Sequence, residues 1–347
     1  HEPSRRQRQM CIRDRHIFTD NRGRFGGYEW PQYSIHRGVL QSILLEAVIQ
    51  RLGNDAIVTN HRLIDLKQTE TEVQAIFERT ADKTSKVKVL GDVLIGCDGI
   101  HSTVRRKLNP QNDPLVYSGI TMWRGVTKWP GFLTGATMIY AGWLQTGKVI
   151  AYPIEKADVD GNQLINWLCE FYCPSRNGEG DWGKPGELKD FIWSCNEMNF
   201  SWLDIPAMIK RAKFIFEYPM VDRNPLAKWT KGRVTLLGDA AHPMYPRGSN
   251  GAGQAILDAV ELAKRLSSKV LHKEALELYE HERRPKTTEV VHANRTVPPD
   301  AILKEVYERT GDKPFDEIED IIERDELELI ANNYKTIAGF DLTSLET

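Results

Sequence analysis

Between Ser34 and Gly53 the apolar positions recur every three or four residues. Leu40, Ile43, Leu44, Ala47, Val48 and Leu52 fall on one face. The spacing predicts a helix that Gly53 ends. AIVTNHRLIDLKQTETEVQAIFERT and SKVKVLGDVLIGCDG then read as strands joined by a polar turn. The last part, DVLIGCDG, is a continuous apolar run ending in Asp98-Gly99. That is the pattern of a strand buried on both faces. HSTVRRKL follows as a short helix with Ser102 at its N-cap.

From about Tyr117 the pattern changes. SGITMWRGVTKW, ATMIYAGWL, KVIAYPI, QLINWLCEFY and KFIFEYPMVDR are β-rich and aromatic, with no helical spacing between them. They predict a mixed or antiparallel sheet whose aromatic side chains mostly fill a core. GRVTLLGDAAH returns to the buried-strand pattern. GQAILDAVELAKRLSS then predicts an amphipathic helix with Ile256, Ala259, Val260, Ala263 and Leu266 on its apolar face. The next segment stays helical, with Pro285 as a kink or break, and the tail is helical and charged. No internal repeat is present. The order is an α/β piece, a β-rich insertion and a second α/β piece.

Composition narrows the classes. The chain has 347 residues, 41% apolar and 27% charged, which suits a globular protein with a substantial core. Its net charge of −2 gives no global pointer to nucleic acid or anionic lipid, and no apolar run is long enough to span a membrane. The five cysteines (Cys11, Cys97, Cys169, Cys173 and Cys195) lack framework spacing. Cys169 and Cys173 have no second Cys or His pair near them, so no metal site is expected. Reduced thiols in a cytoplasmic protein are the expectation. The first fifteen residues, HEPSRRQRQMCIRDR, are Arg-rich and aperiodic. They resemble translated sequencing-adapter read-through and are expected to form a non-native tail outside the fold.

One segment carries chemistry. In LLGDAAHPMYPRGSNGAGQAILDA an apolar run ends at Gly238-Asp239, where ligands of open α/β sheets bind. A carboxylate there can accept hydrogen bonds from sugar-like hydroxyls. Pro243 and Pro246 forbid ordinary helix, while Gly248, Gly251 and Gly253 permit close backbone approach. The helix starting near Gly253 aims unpaired N–H groups and its positive dipole end at whatever lies over the loop. The assembly suits a flat, polar, anionic group lying against backbone, such as a reduced isoalloxazine. A proline-rich turn after a strand is the alternative.

GDAAHPMYPRGSNGAGQAILDA resembles the second flavin motif of the class A FAD-dependent aromatic monooxygenases, the para-hydroxybenzoate and salicylate hydroxylase family. DVLIGCDGIHSTVRRKL resembles that family's Asp-Gly motif, and YSIHRGVLQSILLEAV its flavin-contacting His-Arg helix start. Their order and spacing match over about Pro31 to Pro285. Pro31 to Gly38, Gly119 to Thr127 and Tyr218 to Leu226 are similar to the branch that includes 5-methylphenazine-1-carboxylate 1-monooxygenase. The resemblance implies an incomplete Rossmann-like FAD-binding domain (16–116 and 223–296), a β-rich substrate domain (117–222) and a helical C-terminal tail (297–347). It implies FAD as cofactor, NADPH or NADH as co-substrate, and a small aromatic substrate hydroxylated with O₂ by a flavin C4a-hydroperoxide. No nucleic-acid or membrane partner is expected.

It also implies roles. Gly238 and Asp239 would hold FAD hydroxyls. Backbone of Pro246, Gly248, Asn250, Gly251 and Ala252 would face the flavin ring, with Pro246 and Gly248 beside the reacting carbon. Arg37 and Gln41 would contact phosphate or ribityl groups, and Asp98 and Gly99 would sit by the pyrophosphate; a surface helix-start arginine is the alternative for Arg37, and a helix-capping or turn aspartate for Asp98. His242 invites a general-base reading, but packing behind the loop is the expectation. Met122 to Arg124 and Tyr218 to Met220 would supply the substrate pocket, chiefly Trp123, Tyr218 and Met220.

One departure stands out. The family opens with a strand–GxGxxG–helix unit for the ADP pyrophosphate, and this sequence shows no such fingerprint. NRGRFGGYEW has glycines but reads without a preceding apolar strand or a following helix. The expectation is an N-terminally truncated member that holds FAD poorly. A halogenase of the same fold would carry Trp-x-Trp-x-Ile-Pro, which WRGVTKWPG does not match. A flavin reductase, or a non-catalytic fragment that does not retain FAD, remains an alternative.

Overall fold

A computed structural model describes residues 7–12, 15–82, 85–174 and 183–342. Along the chain come β1 (Gln7–Ile12), β2 (Arg15–Asn21), α1 (Arg37–Leu52), β3 (His61–Gln68), β4 (Val73–Arg79), β5 (Lys86–Gly91) and β6 (Leu94–Gly96). Next are α2 (Thr103–Leu108), β7 (Val116–Pro130), β8 (Thr137–Trp143), β9 (Gly147–Pro153) and β10 (Asn162–Tyr172). Then follow β11 (Asn199–Phe200), β12 (Leu203–Asp204), α3 (Ile205–Lys210), β13 (Ile215–Asp222) and β14 (Val234–Leu236). The chain closes with α4 (Gly251–Leu266), α5 (His272–Thr296), α6 (Ala301–Thr310) and α7 (Arg324–Ile337).

Two compact units divide these elements. One comprises residues 1–44, 117–220 and 299–347; the other comprises 45–116 and 221–298. The division differs from the expected domains. Residues 16–44 and the tail join the unit of the large sheet, because β2 pairs within that sheet and α6 is pinned to it.

The large sheet has seven strands in the order β13-β7-β10-β9-β8-β1-β2. It is mixed: β1 runs parallel to β8, while β7/β10, β10/β9, β9/β8 and β1/β2 are antiparallel. β1 lies in the stretch expected to stay outside the fold. Met10, Cys11 and Ile12 are instead buried, and Gln7–Cys11 pair with Thr137–Ala141. Arginines dominate the composition of this stretch, but the strand ends in an apolar run that packs beside β8. β2 likewise precedes the glycines of Gly23–Gly27, where no strand was expected; a single 3₁₀ turn rather than an α-helix follows it.

Alternation sorts this sheet into two faces. One carries Trp123, Ile139, Val149, Ala151, Ile165, Trp167 and Cys169, which close a core with Phe191, Ile205 and Met208. Trp123 stacks on Phe171 at 4.8 Å and on Phe191 at 5.4 Å. Lys148 on β9 is buried between Glu170 (2.6 Å) and Asp300, the residue before α6. A buried cation between two carboxylates fixes α6 against the sheet and is costly to break.

In the second unit β3, β4 and β5 form an antiparallel meander, and β14 pairs parallel to β6. Val104, Val234, Leu236, Leu262, Leu276 and Tyr279 build its core. Ser102 caps α2 as the sequence predicts, its Oγ accepting from Arg105 N at 2.8 Å. α5 runs unbroken through Pro285. α4 turns a different face inward from the one its periodicity predicts. Gln254, Asp258 and Leu262 are buried, whereas Ile256 and Val260 are exposed. α1 forms as predicted, with no residue of it buried.

Candidate active site

In the second unit the register Leu236↔Gly96 sets two strand ends side by side. Asp98 follows one and Asp239 the other, so both aspartates lie at the carboxyl edge of one parallel pair, where open α/β sheets bind ligands. This is the arrangement the two apolar runs predict. Their carboxylates differ in employment. Asp98 accepts from Ser102 Oγ, from Thr103 N at 2.6 Å and from Val104 N at 3.2 Å, so it holds the first turn of α2. Gly99, next to it, takes φ +74°, a turn conformation suited to glycine. Asp239 is exposed and has no hydrogen-bond partner among the described residues.

The backbone around Asp239 is fixed from behind. Gly238 adopts φ +61°, and a Cβ there would stand 3.2 Å from that of Ala255. Its N–H donates to the buried Asp258 Oδ2 at 3.1 Å. His242 Nε2 meets the same oxygen at 2.6 Å, and Arg283 Nε donates to Oδ1 at 2.8 Å. Burial pushes the Asp258 carboxyl up, but the His242 and Arg283 contacts outweigh it and hold the group below its usual range. His242 is 2% exposed and packs against Trp229, so it serves the loop from behind. Arg105, buried in turn, pairs with Asp113 at 2.6 Å and donates to the carbonyls of Ala240 (3.2 Å) and Ala241 (2.8 Å).

Beyond Asp239 the loop is short and tight. Pro246–Gly248 form one 3₁₀ turn, Ser249 is left-handed at φ +53°, and Asn250 stands at the N-cap of α4 without a side-chain cap. The first-turn amides at Gly251, Ala252 and Gly253 therefore lack a capping side chain. Pro246 and Ala252 are exposed, Gly248 is buried, and a Cβ on Gly251 would lie 3.8 Å from Asp239 Oδ1.

The first unit holds a cavity of about 820 Å³ on the sheet face opposite the aromatic core. Ile35, His36 and Arg37 border it, with Arg124 and Val126 of β7, Tyr152 of β9 and Asn166 of β10. Phe214, Phe216 and Tyr218 form an aromatic wall, and Arg211 and Lys213 add charge. Arg37 is exposed and forms no hydrogen bond or ion pair among the described residues; Gln41 is exposed one turn later on α1.

Of the three residues expected in the substrate pocket, Tyr218 lines this cavity. Trp123 does not: strand alternation turns it into the core, where it is 1% exposed. Met220 is buried and stands outside the lining. Arg124, Tyr152 and Asn166 were missed as specific residues. Their signal lay in faces: Trp123, Gly125 and Thr127 alternate with Arg124, Val126 and Lys128, and Asn166 interrupts an apolar strand.

A flavin fits part of what is present. Asp239 offers a free acceptor, and the uncapped start of α4 offers donors. These suit a ribityl chain and an isoalloxazine. A glycine-rich strand-to-helix turn for an ADP pyrophosphate is absent among the described residues. No group of three or more His, Cys, Asp or Glu side chains among them could hold a metal, and no helix is long and apolar enough to cross a membrane.

Residues 31–122 and 214–294 match the family described as FAD binding domain. The chain is 44% identical over 282 residues to phenazine 1,6-dicarboxylic acid hydroxylase PhzS of Lysobacter antibioticus, spanning 80% of this chain and 69% of that one. It is 30% identical over 275 residues to 3-hydroxybenzoate 6-hydroxylase 1 of Aquipseudomonas alcaligenes, covering 75% of this chain and 62% of the relative. Among solved structures, a salicylate hydroxylase substrate complex superposes with a TM-score of 0.63 at 21% identity, covering 87% of this chain and 73% of that one. CtdE in complex with FAD and substrate gives 0.70 at 18% identity, over 96% and 82%. These likenesses place the mixed α/β fold with that of FAD-dependent hydroxylases. By its sequence, this chain belongs to the family of FAD-dependent aromatic monooxygenases.

Proposed function

We propose that the protein hydroxylates a small aromatic molecule in the cytoplasm, using FAD, O₂ and NADPH or NADH. The observation that carries this reading is Asp239, a free carboxylate at the carboxyl edge of a parallel strand pair, followed by a tight loop and the uncapped start of α4. When bound, the flavin supplies the transfer of electrons from the nicotinamide to O₂.

This chain's residues do the remaining work. Asp239 accepts hydrogen bonds from flavin hydroxyls, and Gly238 gives the backbone the turn that presents it. Pro246, Gly248, Asn250, Gly251 and Ala252 offer backbone to the ring, with the positive end of α4 favouring an anionic reduced flavin. Arg37 and Gln41 contribute a cation and an amide from the start of α1. Asp98 is assigned to α2 rather than to the cofactor, since its carboxylate already serves three donors. The cavity of the first unit offers aromatic walls to a flat substrate. Its volume lies within the range of about 300–1,000 Å³ usual for small-molecule sites.

The experiment is a panel of aromatic acids and their neutral analogues with NADH or NADPH and added FAD. Nicotinamide oxidation coupled to a product heavier by one oxygen atom supports the reading. Nicotinamide oxidation that no aromatic compound stimulates points to a flavin reductase instead.

A further inference from the structure

Arg124 stands out among the cations of the cavity. It projects from β7 and is largely buried. Its Nε donates to Asn166 Oδ1 at 2.9 Å, and its terminal nitrogens have no partner among the described residues. Asn166 is 1% exposed, and its Nδ2 has no partner either. Because Nε–H can only donate, the amide oxygen must face Arg124, which fixes the orientation of Asn166. Asn166 thus holds the guanidinium at one nitrogen and leaves the other two for something else.

The surroundings say what that is. Arg37, Arg211 and Lys213 also border the cavity, and no Asp or Glu does. Lys128 is the exception among the cations, already offset by Asp158 at 2.7 Å. Burial, and to a lesser degree the nearby Arg37, push the Arg124 pKa down against the opposing pull of Tyr152 and Tyr218. Tyr152, Phe216 and Tyr218 supply flat apolar surface beside it. A planar guanidinium with free nitrogens matches a carboxylate in two-point geometry.

We propose that Arg124, positioned by Asn166, is the specificity-determining residue that anchors the carboxylate of a planar aromatic acid in this cavity. The inference rests on reading the cavity as the aromatic-substrate site.

The test is calorimetric titration of the protein with 2-naphthoate and with its neutral isostere 2-naphthamide. Loss of one charge-assisted contact predicts that naphthamide binds about tenfold to a hundredfold more weakly. Arg124→Gln removes that preference by weakening naphthoate alone. Asn166→Asp does the same with Arg124 still in place, because the new carboxylate neutralises the guanidinium. Melting curves verify that each variant folds. If both probes bind and the variants keep the wild-type preference, Arg124 is not the anchor while the aromatic site stands. If neither probe binds the wild type, the proposal falls together with the reading beneath it.

Discussion

Asp98 and Asp239 stand just beyond Gly96 and Leu236, which are paired in register on adjacent parallel strands, yet only Asp98 has its carboxylate engaged by protein donors. The two positions are alike in topology and opposite in employment. One stabilises the fold, and the other has no protein partner among the described residues.

That contrast predicts opposite mutant behaviour. Asp98→Ala removes the acceptor that holds the start of α2 and should cost about 0.5–2 kcal/mol, the range for a lost helix cap. Asp239→Ala touches no protein partner and should change stability by less than about 0.5 kcal/mol. Urea unfolding of both variants checks this. Equal destabilisation would remove the distinction.

The Asp258 network sets a pH dependence. Asp258 is more acidic in the folded protein than the carboxylate value of 3.8, because His242 and Arg283 outweigh the burial that opposes them. A lowered folded pKa gives stability that is present above the unfolded pKa, about 3.9, and lost as pH falls through the folded value. Asp258→Asn leaves Arg283 buried without its counter-charge, at a cost of about 3–5 kcal/mol near pH 7. The gap in urea midpoint between wild type and variant should be widest there and narrow below about pH 4. A gap that stays constant down to pH 2 would contradict the sign.

Trp123 gives a third outcome. Sequence order puts it beside Arg124, but its ring is stacked between Phe171 and Phe191 in the core. Trp123→Ala should cost about 3–5 kcal/mol of stability, as for other large-to-small core changes. Thermal or urea unfolding reads this directly. A stable variant with altered ligand binding would put Trp123 in the pocket after all.

What the sequence revealed follows from how local each signal is. An apolar run ending in an acid is a local pattern, so the Asp98 and Asp239 strand ends were legible, as was the Ser102 cap. The inward face of α4 was not. Asp258 is buried because His242 and Arg283 reach it from other elements, and periodicity cannot see such partners. β1 was missed because its place depends on pairing with β8, far along the chain. The pocket was half legible. Alternation separates Trp123 from Arg124, but which face is core depends on the packing of Phe191, Ile205 and Met208.

The central claim is that Asp239 and its loop hold the isoalloxazine and ribityl half of a flavin. It is tested by titrating the protein and its Asp239→Ala variant with riboflavin, FMN and FAD, following flavin fluorescence. Saturable quenching by all three at similar affinity is expected, since no adenine-side cradle is found among the described residues. A weakening of about 1.5–3 kcal/mol is expected in the variant, the same for each ligand. Binding of FAD alone with Asp239→Ala without effect, or no binding of any flavin, would contradict it.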